Sequence, residues 1–150
     1  MERGGEQLAI AYEDEDVVVV NKPPRVPSQA VEPGDDDDLP SRVKRLLAVR
    51  RGVAESEVYL GTHQRLDRDT SGLVLYTLRP EANAPIAKQF EERSIEKTYL
   101  VAVTGNAPAS PRELVHVLAP ARDGRMQVSD ARDARGKEAR THVRTLRRDD

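Results

Sequence analysis

The chain has 150 residues, a formal net charge of -2 at pH 7 and no cysteine. A chain of this length forms one hydrophobic core, so we expect a single domain over residues 1–150. The lack of cysteine excludes disulfides, thiolate zinc sites and cysteine nucleophiles. The sequence has neither a long apolar run nor a basic-then-apolar N-terminal segment, which predicts a cytoplasmic protein with no membrane partner.

The near-zero net charge does not exclude a nucleic-acid partner, because the arginines are concentrated locally. They cluster in 42–51, at Arg65 and Arg68, and in 122–148, while four consecutive acids occupy 35–38. Electrostatic steering depends on where charges lie, so a basic surface is compatible with this composition. The simpler alternative is that each cluster forms a solvated face of a helix or loop.

Two strands and a long loop are predicted at the start of the chain. Leu8, Ile10 and Tyr12 alternate with Ala9, Ala11 and Glu13, which gives a period of two. Val17 to Val20 form a β-branched run typical of a strand buried on both faces. Pro23 and Pro24 end this strand, because proline removes a ladder donor and fixes φ. The loop that follows contains Pro33 and extends into the acidic run, whose end we expect to be mobile.

Two helices are predicted further along the chain. A helical pattern begins at Leu39, where Pro40 and Ser41 favour a helix start, and Gly52 ends that helix. A second helix is predicted over 80–93, where Asn83, Ile86, Ala87 and Phe90 share one face and Lys88 lies one turn from Glu92.

Short apolar segments predict the remaining strands. A short apolar stretch at 58–60 and a charged loop precede the compact strand Leu73 to Tyr76, and later strands are predicted for Tyr99 to Val103, Leu114 to Leu118, Met126 to Val128 and Thr141 to Leu146. Strands interrupted by two helices, without a regular βαβ repeat, indicate an α+β fold with a mixed, mostly antiparallel sheet.

The charged loop 62–72 leads directly into a predicted core strand and carries the densest set of polar residues. Arg65 and Arg68 bracket Asp67, and a nearby guanidinium favours the carboxylate form. A positioned carboxylate acts as a nucleophile or a general base. A capped turn is an equally good interpretation, since Asp69, Thr70 and Ser71 accept backbone N–H bonds and Gly72 permits an unusual φ.

Other chemistries fit this loop poorly. Two-carboxylate glycoside hydrolysis needs a second carboxyl group that is kept protonated, and nothing marks Asp69 as that acid. An aspartic protease motif is interrupted by an extra residue, and Ser71 lacks the glycines of a nucleophile elbow. His63, His116 and His142 lack metal-ligand spacing, so we predict no metal site and treat each as a surface or hydrogen-bonded residue.

The segment 63–76, His-Gln-Arg-Leu-Asp-Arg-Asp-Thr-Ser-Gly-Leu-Val-Leu-Tyr, resembles the signature His-Arg-Leu-Asp-x-x-Thr-Ser-Gly-Leu of the RluA-type pseudouridine synthases. Segment 17–28 resembles the family's Asn-Lys-Pro-x-Gly segment, and segment 90–100 resembles its Lys-x-Tyr strand. The three motifs keep the family's order and distance, and the resemblance covers residues 8 to 146.

This resemblance implies an RNA uridine isomerase without cofactor or metal, acting on structured rRNA or tRNA as a monomer. It identifies Asp67 as the catalytic carboxylate, which either attacks the ribose or abstracts a sugar proton. Tyr99 would stack on the uracil and take part in proton transfer. Arg65 would fill the space left by the everted base, and Lys22 and Arg68 would contact RNA. The alternatives are a solvated loop position for Lys22, a core position for Tyr99 and an Arg68–Asp69 pair.

The sequence departs from the family pattern at three places. Gln64 stands where the family has histidine, with His63 displaced by one, and Arg25 stands where it has glycine. The family's later Gly-Arg-x-His-Gln-Ile-Arg segment and an upstream S4-like domain are not found in the sequence. We therefore expect a catalytic domain that is incomplete at its C-terminus, with an inactive or truncated RNA-binding fragment as the alternative.

Overall fold

The computed structural model describes residues 8–30, 36–122, 125–130 and 132–148. The chain divides into two compact units, residues 1–97 and 98–150. Each unit is built on its own antiparallel sheet, and unit 1 also contains two α-helices. The predicted α+β class with a mostly antiparallel sheet is confirmed.

Unit 1 contains a four-stranded sheet with the order β1-β2-β4-β3. The strands are β1 (Ala9–Glu13), β2 (Val17–Lys22), β3 (Gly61–Thr62) and β4 (Gly72–Thr77). β2 pairs with β4 along its whole length, from Val17 opposite Thr77 to Lys22 opposite Gly72. This register places the C-terminal end of β2 beside the residue at which the charged loop enters β4.

Helix α1 (Leu39–Arg51) begins and ends where the sequence predicted. Asp38 caps its N-terminus, since the carboxylate accepts the Ser41 N–H at 2.8 Å, and Gly52 ends it with φ 65°. The expectation of a mobile acidic run is wrong for the residues next to the helix: Asp38 is buried and Asp37 pairs with Arg42 at 2.9 Å. Pro33 and Asp35 lie outside the described residues.

The core of unit 1 lies between the sheet and α1. The fully buried aliphatic side chains are those of Val18, Val20, Leu39, Val43, Leu47 and Val74. The prediction that β2 is buried on both faces is only partly right, because Val17 and Val19 are half-buried while Val18 and Val20 are fully buried. The strand therefore presents one face to α1 and keeps the other nearer to solvent.

The second predicted helix is also present. It consists of a 3₁₀ turn (Pro80–Ala82) followed by α2 (Asn83–Glu91), and Lys88 pairs with Glu92 at 3.6 Å. A further 3₁₀ turn, Glu55–Glu57, precedes the segment 58–60. In the described ranges no helix has the length and apolar content needed to cross a membrane.

Unit 2 contains a three-stranded sheet with the order β6-β5-β7. Its strands are β5 (Arg112–Pro120), β6 (Met126–Ser129) and β7 (Lys137–Val143). The last strand begins earlier than predicted and ends before Leu146. The strand predicted for Tyr99 to Val103 is wrong: this segment forms no ladder and its side chains are exposed, because an apolar β-branched run becomes a strand only when it finds a pairing partner.

Candidate active site

Asp67 lies at a tight turn between β3 and β4. The Thr70 N–H donates to the Asp67 carbonyl oxygen at 3.0 Å, and Gly72 enters β4 with φ 140°, which a glycine adopts without steric cost. The Asp67 side chain is exposed. The segment is therefore a well-formed turn that also presents a carboxylate at the surface of unit 1, so the two interpretations of this loop are compatible.

The residue before Asp67 is fixed by Ser28. The Ser28 hydroxyl donates to the Leu66 carbonyl oxygen at 2.6 Å and accepts the Leu66 N–H at 3.1 Å. Ser28 is buried, and Leu66 packs against the core. One side chain thus satisfies both peptide groups of Leu66, which prevents that residue from rotating about its backbone.

The residue after Asp67 is fixed by Lys22. The Lys22 ammonium donates to the Arg68 carbonyl oxygen at 2.9 Å, to that of Val26 at 2.8 Å and to that of Pro23 at 3.2 Å. Its three N–H groups therefore match three carbonyl acceptors. The side chain has no exposed surface, so burial of this charge is compensated within the protein.

Burial lowers the pKa of Lys22, and the carboxylates of Asp69 and Asp67 act in the opposite direction. The solvated position considered for Lys22 is wrong. A contact with RNA is not supported either, because a side chain without exposed surface offers no donor to a phosphate. Lys22 instead joins the proline-rich segment to the turn that carries Asp67.

Arg65 and Arg68 lie at the rim of the turn, and both are exposed. Arg65 Nη1 donates to Gln29 Oε1 at 3.1 Å, and Arg68 Nε donates to the Arg25 carbonyl oxygen at 3.3 Å. Within the described ranges, neither guanidinium forms an ion pair with Asp67 or Asp69. The alternative of an Arg68–Asp69 pair is therefore wrong, and both arginines use neutral acceptors.

Tyr99 belongs to unit 2, and its side chain is 62% exposed in a segment without regular structure. The core position considered for it is wrong. The described site of unit 1 therefore consists of Asp67, of Arg65 and Arg68 at its rim, and of Ser28 and Lys22. We call Ser28 and Lys22 the clamps, because they bond the residues before and after Asp67. A role for Tyr99 stays a prediction.

A chain of polar side chains fixes the entry of the loop. His63 Nε2 lies 3.2 Å from Thr77 Oγ1, the Thr77 hydroxyl donates to Asn83 Oδ1, and Asn83 Nδ2 donates to the Tyr59 hydroxyl. The His63 ring stacks on Phe90 with a centroid distance of 6.1 Å. The prediction of a hydrogen-bonded His63 is confirmed, and burial lowers its pKa.

Sequence reasoning missed the clamps. Ser28 stood in a segment compared with the family, but nothing marked its hydroxyl as a partner of a residue 38 positions away. The β2–β4 register is the signal that would have found it, because antiparallel pairing brings the residues after β2 next to those before β4.

The chain matches a model of the family described as RNA pseudouridylate synthase over residues 16–150. Ribosomal large subunit pseudouridine synthase D of Zymomonas mobilis is 31% identical over 139 residues, which is 93% of this chain and 44% of that protein. The enzyme of the same name from Xylella fastidiosa is 34% identical over 143 residues, which is 94% of this chain and 40% of that protein.

A solved structure agrees with these sequence matches. The structure titled Human RNA Pseudouridylate Synthase Domain Containing 1 superposes with a TM-score of 0.69 at 26% identity, over 95% of this chain and 54% of that one. The chain thus spans less than half the length of the two bacterial relatives. The match over residues 16–150, which includes the Asp67 turn and its clamps, shows that this chain belongs to the RNA pseudouridylate synthase family.

Proposed function

We propose that the protein is an RNA pseudouridine synthase in which Asp67 is the catalytic carboxylate. The supporting observation is the way the turn is held: Ser28 and Lys22 bond the peptide groups on both sides of Asp67 and leave its side chain exposed. A carboxylate on a fixed backbone acts on a bound sugar without first paying the entropy of loop ordering.

The reaction converts uridine to pseudouridine within the RNA chain. The N1–C1′ bond breaks, the uracil rotates, a C5–C1′ bond forms, and the hydrogen on C5 is lost to solvent while N1 gains a proton. Asp67 begins the reaction either as a nucleophile on the ribose or as a base that removes a sugar proton. Both routes need a carboxylate that faces an everted nucleotide.

The other residues take supporting roles in this proposal. Arg65, exposed at the rim, enters the space that the everted base leaves, and Arg68 contacts the RNA backbone. Tyr99 stacks on the uracil. We assign Lys22 to positioning the turn, because its ammonium is buried and fully bonded.

Both bacterial relatives are named for the ribosomal large subunit, so we propose structured rRNA as the first substrate to examine, with tRNA as the second. On this proposal residues 1–150 are part of one catalytic domain that works as a monomer in the cytoplasm, without a cofactor. A second candidate function is RNA binding without catalysis, which the exposed guanidinium groups of Arg65 and Arg68 would support by themselves.

Tritium release from RNA labelled at uracil C5 tests the proposal. Wild type should release tritium, and Asp67→Asn should reduce release by about 10²–10⁴-fold, because the amide has no charge with which to attack or accept a proton. Arg50→Gln is the matched control, since Arg50 pairs with Glu13 at 2.7 Å in another part of unit 1. If wild type binds RNA but releases no tritium, the second candidate function, RNA binding without catalysis, is supported instead.

A further inference from the structure

Arg25 adopts a backbone conformation that its side chain disfavours. Its φ is 69°, in the left-handed region where a Cβ atom approaches a backbone oxygen, and glycine is the residue best suited to it. The residue lies between Pro24 and Val26 in the segment that follows β2. A strained residue at the edge of a functional loop is a reason to look for a function of its side chain.

The position of Arg25 connects it to the Asp67 turn. Its carbonyl oxygen accepts the Arg68 Nε–H at 3.3 Å, and the next residue, Val26, accepts a bond from Lys22 at 2.8 Å. The Arg25 side chain is exposed. The backbone of Arg25 is thus bonded to the turn that carries the exposed side chain of Asp67.

Some arginines of unit 1 form ion pairs with carboxylates, and others do not. Five are paired with carboxylates of unit 1, and they are Arg42, Arg45, Arg50, Arg51 and Arg79. In the described part of the chain, Arg25, Arg65 and Arg68 form no ion pair. Arg65 and Arg68 lie within two residues of Asp67 along the chain, and the Arg25 carbonyl oxygen accepts a bond from Arg68. Three exposed arginines without an ion-pair partner are therefore connected to this turn.

We propose that Arg25 binds a phosphodiester of the RNA next to the target uridine, as a contact additional to Arg65 and Arg68. A guanidinium presents several N–H donors to phosphate oxygens and stays charged at every relevant pH. The other cations of this segment and turn are the buried Lys22 and the exposed Arg65 and Arg68. The carboxylates are those of Asp67 and Asp69, so the summed charge is positive and favours an anion. The inference rests on the proposed function, since it assumes that RNA is the substrate.

Four variants test Arg25 by fluorescence anisotropy with a labelled RNA hairpin that has a uridine-rich loop. Arg25→Ala and Arg25→Gly should each lower RNA affinity by about three- to tenfold at about 50 mM salt, and should reduce the slope of log K against log salt by about one. Arg25→Lys should keep the wild-type slope. Arg50→Gln, the control, should leave both affinity and slope unchanged.

Thermal unfolding distinguishes the effect of losing the Arg25 charge from the effect of the backbone strain at this position. Arg25→Gly relieves the left-handed strain and should melt about 2–4 °C above Arg25→Ala, although both bind RNA equally weakly. If Arg25→Ala binds RNA with wild-type affinity, or if Arg50→Gln loses as much affinity as Arg25→Ala, the Arg25 contact is overturned and the proposed function is not affected. A wild-type protein that binds no RNA overturns the proposed function together with it.

Discussion

At the scale of single residues, Asp67 is positioned by hydrogen bonds to its neighbours. Ser28 bonds both peptide groups of Leu66, and Lys22 bonds the carbonyl oxygen of Arg68. These bonds are partly buried, so breaking one leaves a polar group that has lost its partner and is partly shielded from water. The peptide groups around Asp67 are therefore held in place by the protein itself.

Ser28→Ala should lower the free energy of unfolding by about 1–3 kcal/mol, because it leaves the Leu66 N–H and carbonyl groups without a partner. Urea titration should show a lower midpoint at an unchanged slope. Ser94→Ala is the control: its hydroxyl is exposed and donates only to the Gln89 carbonyl at 3.2 Å, so the change should stay within about 0.5 kcal/mol. Equal midpoints in the two variants would contradict the clamp.

At the scale of elements, side-chain hydrogen bonds hold the β3 edge of the sheet, where the charged loop begins. β3 contributes only Gly61 and Thr62 to the ladder. The chain His63–Thr77–Asn83–Tyr59 adds side-chain bonds that join β3, β4 and α2 at this edge. Gly61 is required here, because a Cβ atom would overlap Asn83 Oδ1 and Thr77 Oγ1.

The lowered pKa of His63 predicts how stability depends on pH. Burial disfavours the imidazolium in the folded state, so the unfolded chain takes up this proton at a higher pH than the folded chain. Stability is therefore lost as the pH falls through the ordinary range of histidine, and it is kept above that range.

Urea midpoints at about pH 7 and about pH 5 check this prediction. His63→Gln should lose less stability between the two than wild type, because it removes the group that protonates on unfolding. His116→Gln, which removes an exposed imidazole from β5, should lose as much as wild type. If His63→Gln behaves like His116→Gln, then His63 does not contribute to the acid sensitivity.

The elements themselves were largely predictable from local sequence. Helix α1 follows its start and stop residues, with Gly52 ending it as expected, and α2 follows the helical periodicity of 80–93. Asp67 was found because a motif surrounds it. The role of Ser28, the burial of Lys22 and the capping role of Asp38 depend on contacts across strands or between loop and helix, and periodicity carries no information on such contacts.

At the scale of the whole molecule, the two units differ in burial. Unit 1 has an aliphatic core, whereas in the described part of unit 2 only Ala119 is a buried hydrophobic residue. The segment 98–103 carries exposed apolar side chains, among them Leu100 and Val101. We failed to predict this because the β-propensity of that segment is high, and propensity does not reveal whether a partner strand is available.

Hydrogen exchange measured by mass spectrometry should reflect this difference. Amides of 98–103 should exchange near the rate of an unfolded peptide, since no ladder bond protects them. Amides of β2 and β4 should be slower by about 10³-fold or more, as expected where exchange requires opening of a core of about 5 kcal/mol. Equal protection in both segments would show that 98–103 is paired in solution.

The hydrogen bonds that hold the Asp67 turn are made to its peptide groups. In the described ranges, none is made to the Asp67 carboxylate. The hydrogen bonds that hold this backbone therefore do not depend on the side chain at position 67. An asparagine at this position would be delivered to the same place and would leave the surrounding surface intact. On the proposed function, an Asp67→Asn protein would bind the substrate RNA without converting it, so it could be used to recover that RNA from a cell extract.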